Sequence, residues 1–395
     1  MQNLSHQNPF MKKLALTVLI VFLAASFLPL GWNKFDIVGK ANLLYAIGIV
    51  TAIFGVVLVR RSEVARYFHS FQKTILLALF FILLIVSLFT SQIQNYGWSE
   101  VLVWGFAIVL FVVAQTFSEK ERKILKIGLV TFTLISCAVA VIVYLTHSEN
   151  RMAGLFFDVA DVRHIWPNAF ALLLLMTWPI AAELTSEKKW WLRILMLAPI
   201  FTCLFLTFSR AAMIAFAIQL IIIFFLSRSY QLKAKSYKLL KYLAVILTTI
   251  TLIMSLQYAR NLHFNTNSFQ KKIAFEGTEK QTSLQERLDF FKGGTTLALQ
   301  RPFFGYGPGT FRFIYPKVQT DFLANSDHPH NIFIKIAVEN GIPAALVLLA
   351  FFIIFIWEFW KKRKTENAQK KTIHIRRRPR RSRPQPRRLQ PEFFE

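Results

Sequence analysis

The sequence predicts an all-α integral membrane protein of about ten transmembrane helices, with one long periplasmic loop containing short helices. Three observations predict it. Of 395 residues 54% are hydrophobic and only 17% charged, outside the balance of a water-soluble domain. The apolar residues gather in blocks of about twenty, the helix length that crosses about 30 Å of hydrocarbon. The connections between blocks alternate between cation-rich and cation-poor, as the positive-inside rule requires.

The predicted spans are 14–30, 42–59, 74–90, 101–117, 124–145, 168–184, 191–208, 211–226, 240–256 and 342–360. The first follows Lys12 and Lys13 as a signal peptide would, but no small-residue cleavage site follows it and another span comes next, so it reads as retained. Cytoplasmic connections hold Arg60, Arg61, Arg66 and Lys73; Lys120, Arg122, Lys123 and Lys126; Lys188, Lys189 and Arg193; and Arg228, Lys233, Lys235, Lys238 and Lys241. An even span count then places both termini in the cytoplasm of a bacterial inner membrane. Outside lie the 33–40 turn, the 147–166 loop, the Ser209-Arg210 turn and the long loop. Four regions follow: about nine spans in 1–257, a loop 258–341, a last span 342–360 and a basic tail 361–395.

The formal charge of +26 does not point to nucleic acid, because fourteen Lys and Arg residues lie in the tail between Lys361 and Arg388. That Arg/Pro-rich segment reads as disordered chain held near anionic lipid headgroups. Cys137 and Cys203 both fall inside apolar blocks, which leaves no disulfide framework and no Cys-based metal site.

Three places on the outer face hold residue types suited to chemistry. Arg210, in Thr207-Phe208-Ser209-Arg210-Ala211-Ala212, sits between two apolar blocks with almost no loop. A guanidinium at the membrane boundary is costly and usually functional, the plain alternative being a side chain that snorkels to the headgroups. In the long loop, Arg287 precedes Arg301-Pro302-Phe303-Phe304-Gly305-Tyr306-Gly307-Pro308-Gly309. Leu284, Leu288, Phe291 and Leu297 have helical spacing, so 283–299 is predicted to lie along the membrane surface. The glycine run follows no strand and opens no Rossmann helix, and reads as a flexible turn. Last comes Ser326-Asp327-His328-Pro329-His330-Asn331, ahead of Glu339-Asn340-Gly341. Two histidines without a third ligand at helical spacing suit proton transfer better than metal; a loop histidine with no task is the other reading.

In this order the three pieces resemble the O-antigen ligase and polymerase superfamily: a Ser-Arg turn between spans, Arg…Pro-Phe-x-Gly-x-Gly in the long loop, then His-Asn followed by Glu-x-Gly. Arg151-Met152-Ala153-Gly154 with Pro167-Asn168 is similar to that family's Arg-x-x-Gly…Pro-Asn segment, with a longer insertion between its halves. The resemblance runs from about Arg151 to Trp357. It implies transfer of a glycan from an undecaprenyl-diphosphate carrier to an acceptor hydroxyl, lipid A-core or another glycan, at the periplasmic face, with neither cofactor nor metal. Membrane lipids would be the other partners.

Under that resemblance Arg210 and Arg287 hold the diphosphate and His330 is the general base. Ser209, Arg151, Asn168, Arg301, Gly305, Gly307, Asn331 and Glu339 complete the expected substrate site. The family continues with further spans after His-Asn; here one span and the basic tail follow. A polymerase of the same superfamily is the nearest alternative. A transporter or lipid flippase is the alternative of another class, and predicts repeats and mid-membrane charge that these spans lack.

Overall fold

The computed structural model describes Gly48 and residues 71–91, 93–115, 117–148, 150–157, 165–186, 188–228, 236–264, 279–319 and 328–376. The expected span 14–30, the 33–40 turn and all of 42–59 but Gly48 lie outside the described residues. So do Arg60, Arg61, Arg66, Lys233, Lys235, Ser326, Asp327 and the tail beyond Arg376.

Among the described residues the chain is helical, apart from an isolated bridge between Phe157 and Ile165. In chain order the helices are α1 (Phe71–Thr90), α2 (Gln94–Gln115), α3 (Glu119–Thr146), α4 (Pro167–Leu184), α5 (Trp190–Leu206), α6 (Arg210–Arg228) and α7 (Ser236–Phe264). The loop then supplies α8 (Glu279–Gln300), α9 (Phe311–Ile314) with a 3-10 turn Tyr315–Lys317, and α10 (Ile332–Asn340), before α11 (Ile342–Arg376). Lys73–Thr90, Glu119–Thr146, Pro167–Leu184, Tyr242–Phe264 and Ile342–Lys361 are long and apolar enough to cross a membrane; Tyr96–Val112, Trp190–Leu206 and Arg210–Phe225 are shorter apolar helices. This is a multi-pass, all-α membrane protein. One boundary differs from expectation: α11 does not stop at 360 but continues to Arg376, so the first part of the basic tail is helical.

Local chemistry sets the helix ends. Ser118 accepts from the Glu121 amide while the Glu121 carboxylate takes the Ser118 amide at 2.8 Å, a reciprocal cap that opens α3. Pro167 opens α4, where its missing N–H has no partner to lose. Inside the spans, hydroxyls turn back onto their own helix: Thr133 donates to the Leu129 carbonyl, Thr177 to Leu173 and Thr249 to Val245, each at 2.8 Å. In hydrocarbon a hydroxyl has no water to fall back on, so this local bond is required. Conversely, α6 exposes Ile218 and the run Leu220, Ile221, Ile222, Ile223, Phe224 and Phe225, which in a bilayer is a lipid face.

The helices pack in two groups. In the first, α3 to α7 bury Tyr144, Phe170, Leu174, Trp178, Ile200 and Leu204 among themselves, and Cys137 meets Cys203 across α3 and α5 as free thiols. In the second, α1, α2, α10 and α11 enclose Phe80, Leu84, Leu88, Val101, Ile336 and Leu348. An ion pair between Lys73 and Glu358 ties the two membrane helices α1 and α11 at their other end. A smaller core of Phe290, Leu297, Phe311, Tyr315 and Val338 joins α8 and α9 to α10.

Candidate active site

The first cluster is built where the 150–157 segment meets the turn between α5 and α6. Arg151 donates from Nε to the main-chain oxygen of Thr207 at 2.8 Å and from Nη2 to Asn168 Oδ1 at 3.2 Å, at the head of α4. Met152 adds a main-chain bond to Leu206 at 3.0 Å. Gly154, with φ of 60°, lets this segment press against α3 and α4: a Cβ there would meet Ser136 Oγ at 2.4 Å and the Phe170 ring at 2.6 Å. The turn itself is strained at Phe208, whose φ is 50°, a conformation costly for a bulky side chain. Ser209 is buried at the turn. Arg210 is the first residue of α6, exposed, at a helix end whose dipole favours an anion.

Sequence reading passed over the residue that braces this cluster from behind. Arg260 on α7 is fully buried, at 1% exposure. Its guanidinium donates to the carbonyls of Tyr144, of His147 at 3.1 Å and of Ser148 at 2.7 Å, and lies over the rings of Tyr144 and Phe264. It thereby caps the carbonyl end of α3 and pins the chain that leads to Arg151. Its position at the end of a span, like that of Arg210, was the available signal.

The second cluster belongs to α8, α10 and the glycine turn. α8 and α10 run side by side in one direction, Phe290 meeting the His330 ring at 5.5 Å between centroids and Gly294 facing Ile334. α10 folds back along α11, Phe333 against Phe352, so that its N-terminal end points toward the middle of the Ile342–Lys361 segment. His330 remains exposed and has a φ of 53°, the other described non-glycine residue in that region besides Phe208. Its pKa is lowered, first by partial burial and then by the Arg287 charge, with Glu286 opposing. A neutral imidazole, able to accept a proton, is favoured. Arg287 itself is exposed on α8. Asn331 caps α10, its Oδ1 accepting from the Phe333 and Ile334 amides at 2.9 and 3.2 Å, which orients the residue before it.

The glycine run is packed, contrary to the flexible turn expected. Tyr306 and Gly307 donate from their amides to the carbonyls of Val338 and Glu339 at 3.0 and 2.7 Å, and Ile342 to Pro302 at 2.7 Å. A Cβ on Gly305 would come within 2.5 Å of the Glu339 main chain, and one on Gly307 within 2.1 Å of Ser91 Oγ. The glycines are there because backbone touches backbone, which spacing alone did not reveal. Arg301 stacks over Tyr306, whose hydroxyl bonds Gln300. Glu339 is buried at 2% exposure; its Oε1 accepts from the Phe311 amide at 3.2 Å and its main-chain oxygen from Ser87 Oγ at 2.7 Å. These buried contacts orient the turn. The expected helix 283–299 is α8. It buries Gly293, Gly294, Leu297 and Ala298 against α9 and α10 while Leu288, Phe291 and Leu299 stay exposed.

A family model described as O-antigen ligase matches residues 195–349. The match supports the O-antigen ligase superfamily for this segment. It contains Ser209, Arg210, Arg287, Arg301, Gly305, Gly307, His330, Asn331 and Glu339, and leaves Arg151 and Asn168 outside its N-terminal boundary. Comparison with curated proteins and with solved structures gave no match. Within the matched segment the two clusters fall on different packed cores: Arg210 on the first group of helices, Arg287 with His330 on the smaller core of α8, α9 and α10.

Proposed function

We propose that this protein transfers a glycan from an undecaprenyl-diphosphate carrier to an acceptor hydroxyl at the periplasmic face of the bacterial inner membrane, inverting the anomeric centre without a metal ion. The observation that carries the reading is the meeting of α8 and α10, which sets His330 against Phe290 within the field of Arg287 and favours its neutral form. Neutral His330 takes the proton of the acceptor hydroxyl as its oxygen bonds to the anomeric carbon. The bond from that carbon to the diphosphate oxygen breaks, and the charge left on the diphosphate is met by Arg287 and by Arg210 at the head of α6. A single displacement turns an α-linked donor into a β-linked product.

The family match over 195–349 supports this chemistry and is equally compatible with a polymerase, which differs only in its acceptor. Purified protein supplied with isotopically labelled lipid-linked glycan and either lipid A-core or a second repeat unit separates the two. Transfer to lipid A-core with inverted linkage by NMR is the expected result; transfer to the repeat unit alone makes it a polymerase, and retained configuration removes the single-displacement mechanism.

A further inference from the structure

At the far end of α10 from His330, a second group of ionisable side chains is enclosed between helices. Lys335 Nζ lies 2.6 Å from Glu100 Oε1 on α2 and 3.8 Å from Glu339 Oε2 one turn along its own helix. Lys335 is 13% exposed, Glu100 26% and Glu339 2%. Two carboxylates thus share one ammonium in a poorly hydrated place, and like charges so arranged tend to keep a proton. The Glu339 carboxylate accepts from the amides of Gly309 and Phe311, at the start of α9, and its main-chain oxygen holds Gly307 and Ser87. Another cation, Arg312 on α9, lies over the rings of Tyr96 of α2 and Phe313. The main-chain bonds that seat the 305–311 turn on α10 therefore run to Glu339 and its neighbour Val338, while Gly307 also lies against Ser91.

We propose that Glu100, Lys335 and Glu339 form a proton-sensing clasp: the 305–311 turn seats on α10 with a proton held in the cluster, and unseats more readily when that proton leaves. Its consequence for catalysis, through the placement of α10 and so of His330, rests on the glycan-transfer reading; the clasp itself does not. The direction follows from linkage. Burial, then Glu100, raise Glu339 from 4.5 to about 7 against the pull of Lys335 and the two amides. In the unseated turn the carboxyl is hydrated and returns toward its ordinary value. Seating is thus firmest below that ordinary value and weakens by up to about tenfold per pH unit as pH rises toward about 7, then levels off.

The test is hydrogen exchange of the amides of 305–311 in the full-length protein in lipid nanodiscs, corrected at each pH for intrinsic exchange. In the wild type, protection is expected to fall between about pH 5 and about pH 7. Glu339→Gln, neutral and of the same shape, is expected to flatten the profile. Glu100→Gln should end the fall at lower pH, and Lys335→Met should extend it to higher pH. Flat wild-type protection overturns the clasp, as does an unchanged slope in Glu339→Gln or a same-direction shift in the Glu100 and Lys335 variants. Because exchange needs no glycan, a protein that shows the slope but transfers nothing would retain the clasp and lose the proposed activity.

Discussion

Arg151 Nε reaches the main-chain oxygen of Thr207 at 2.8 Å, two residues before Ser209. A side chain from before α4 therefore sets the turn that starts α6 with Arg210. Arg151→Ala should lower transfer roughly ten- to a hundredfold, the range for a lost charge-assisted hydrogen bond. Arg151→Lys should fall in between, since an ammonium cannot bond Thr207 and Asn168 in the same fork. Initial rates at saturating donor check both.

Gly305 gives a stability prediction. Its φ of 65° is strained for any L side chain, and a Cβ would strike the Glu339 main chain at 2.5 Å. Gly305→Ala should cost about 2–4 kcal/mol through strain and displacement of backbone. A lowered unfolding midpoint in detergent, with no compensating gain in lipid, is the expected reading.

His330 gives a pH prediction. Its pKa lies below the ordinary 6.5 because of partial burial and Arg287. The acid limb of the transfer rate should therefore fall below that ordinary value, with activity present above it and lost as pH drops and the imidazole charges. Removing Arg287 takes away a cation, so in Arg287→Gln the limb of the residual activity should move to higher pH. Glu286→Gln removes the opposing charge and should move it lower. Rate profiles of the three proteins test the ordering.

Arg260 is a structural prediction with a functional echo. Arg260→Ala takes the donor from the carbonyls of Tyr144, His147 and Ser148, the first of them buried, and the cation from over the rings of Tyr144 and Phe264. A loss of about 3 kcal/mol or more in stability is expected. Arg260→Lys should recover part of it. Thermal unfolding followed by the signal of the α3–α7 helices measures both.

The apolar helices were legible because a helix in lipid must be apolar along its whole length: among the described residues each predicted block falls mainly on a helix, and five of these are long and apolar enough to cross a membrane. The motifs Ser209-Arg210, Arg287 and His330-Asn331 stood out in the sequence as residue types suited to chemistry; that they open α6, lie on α8 and cap α10 comes from the fold. What spacing did not show is contact over long separation. Ser87 and Glu339 are 252 positions apart and share a hydrogen bond; Glu100 and Lys335 are 235 apart and share an ion pair. The Lys335 and Glu339 pair, one helical turn apart, could be read from the sequence; its second carboxylate on α2 could not. Nor could the close approach of Gly305 and Gly307 to α10 and Ser91, since a glycine run looks the same whether it is loose or clamped.

The central claim is that Arg210, Arg287 and His330 perform one glycan transfer, and single variants in a reconstituted assay test it most directly. Purified Arg210→Ala, Arg287→Ala and His330→Ala proteins, each shown to be folded, are given lipid-linked glycan and acceptor, and product is counted. The account predicts a loss of about a hundredfold or more in each. Undiminished product from any of the three would contradict it.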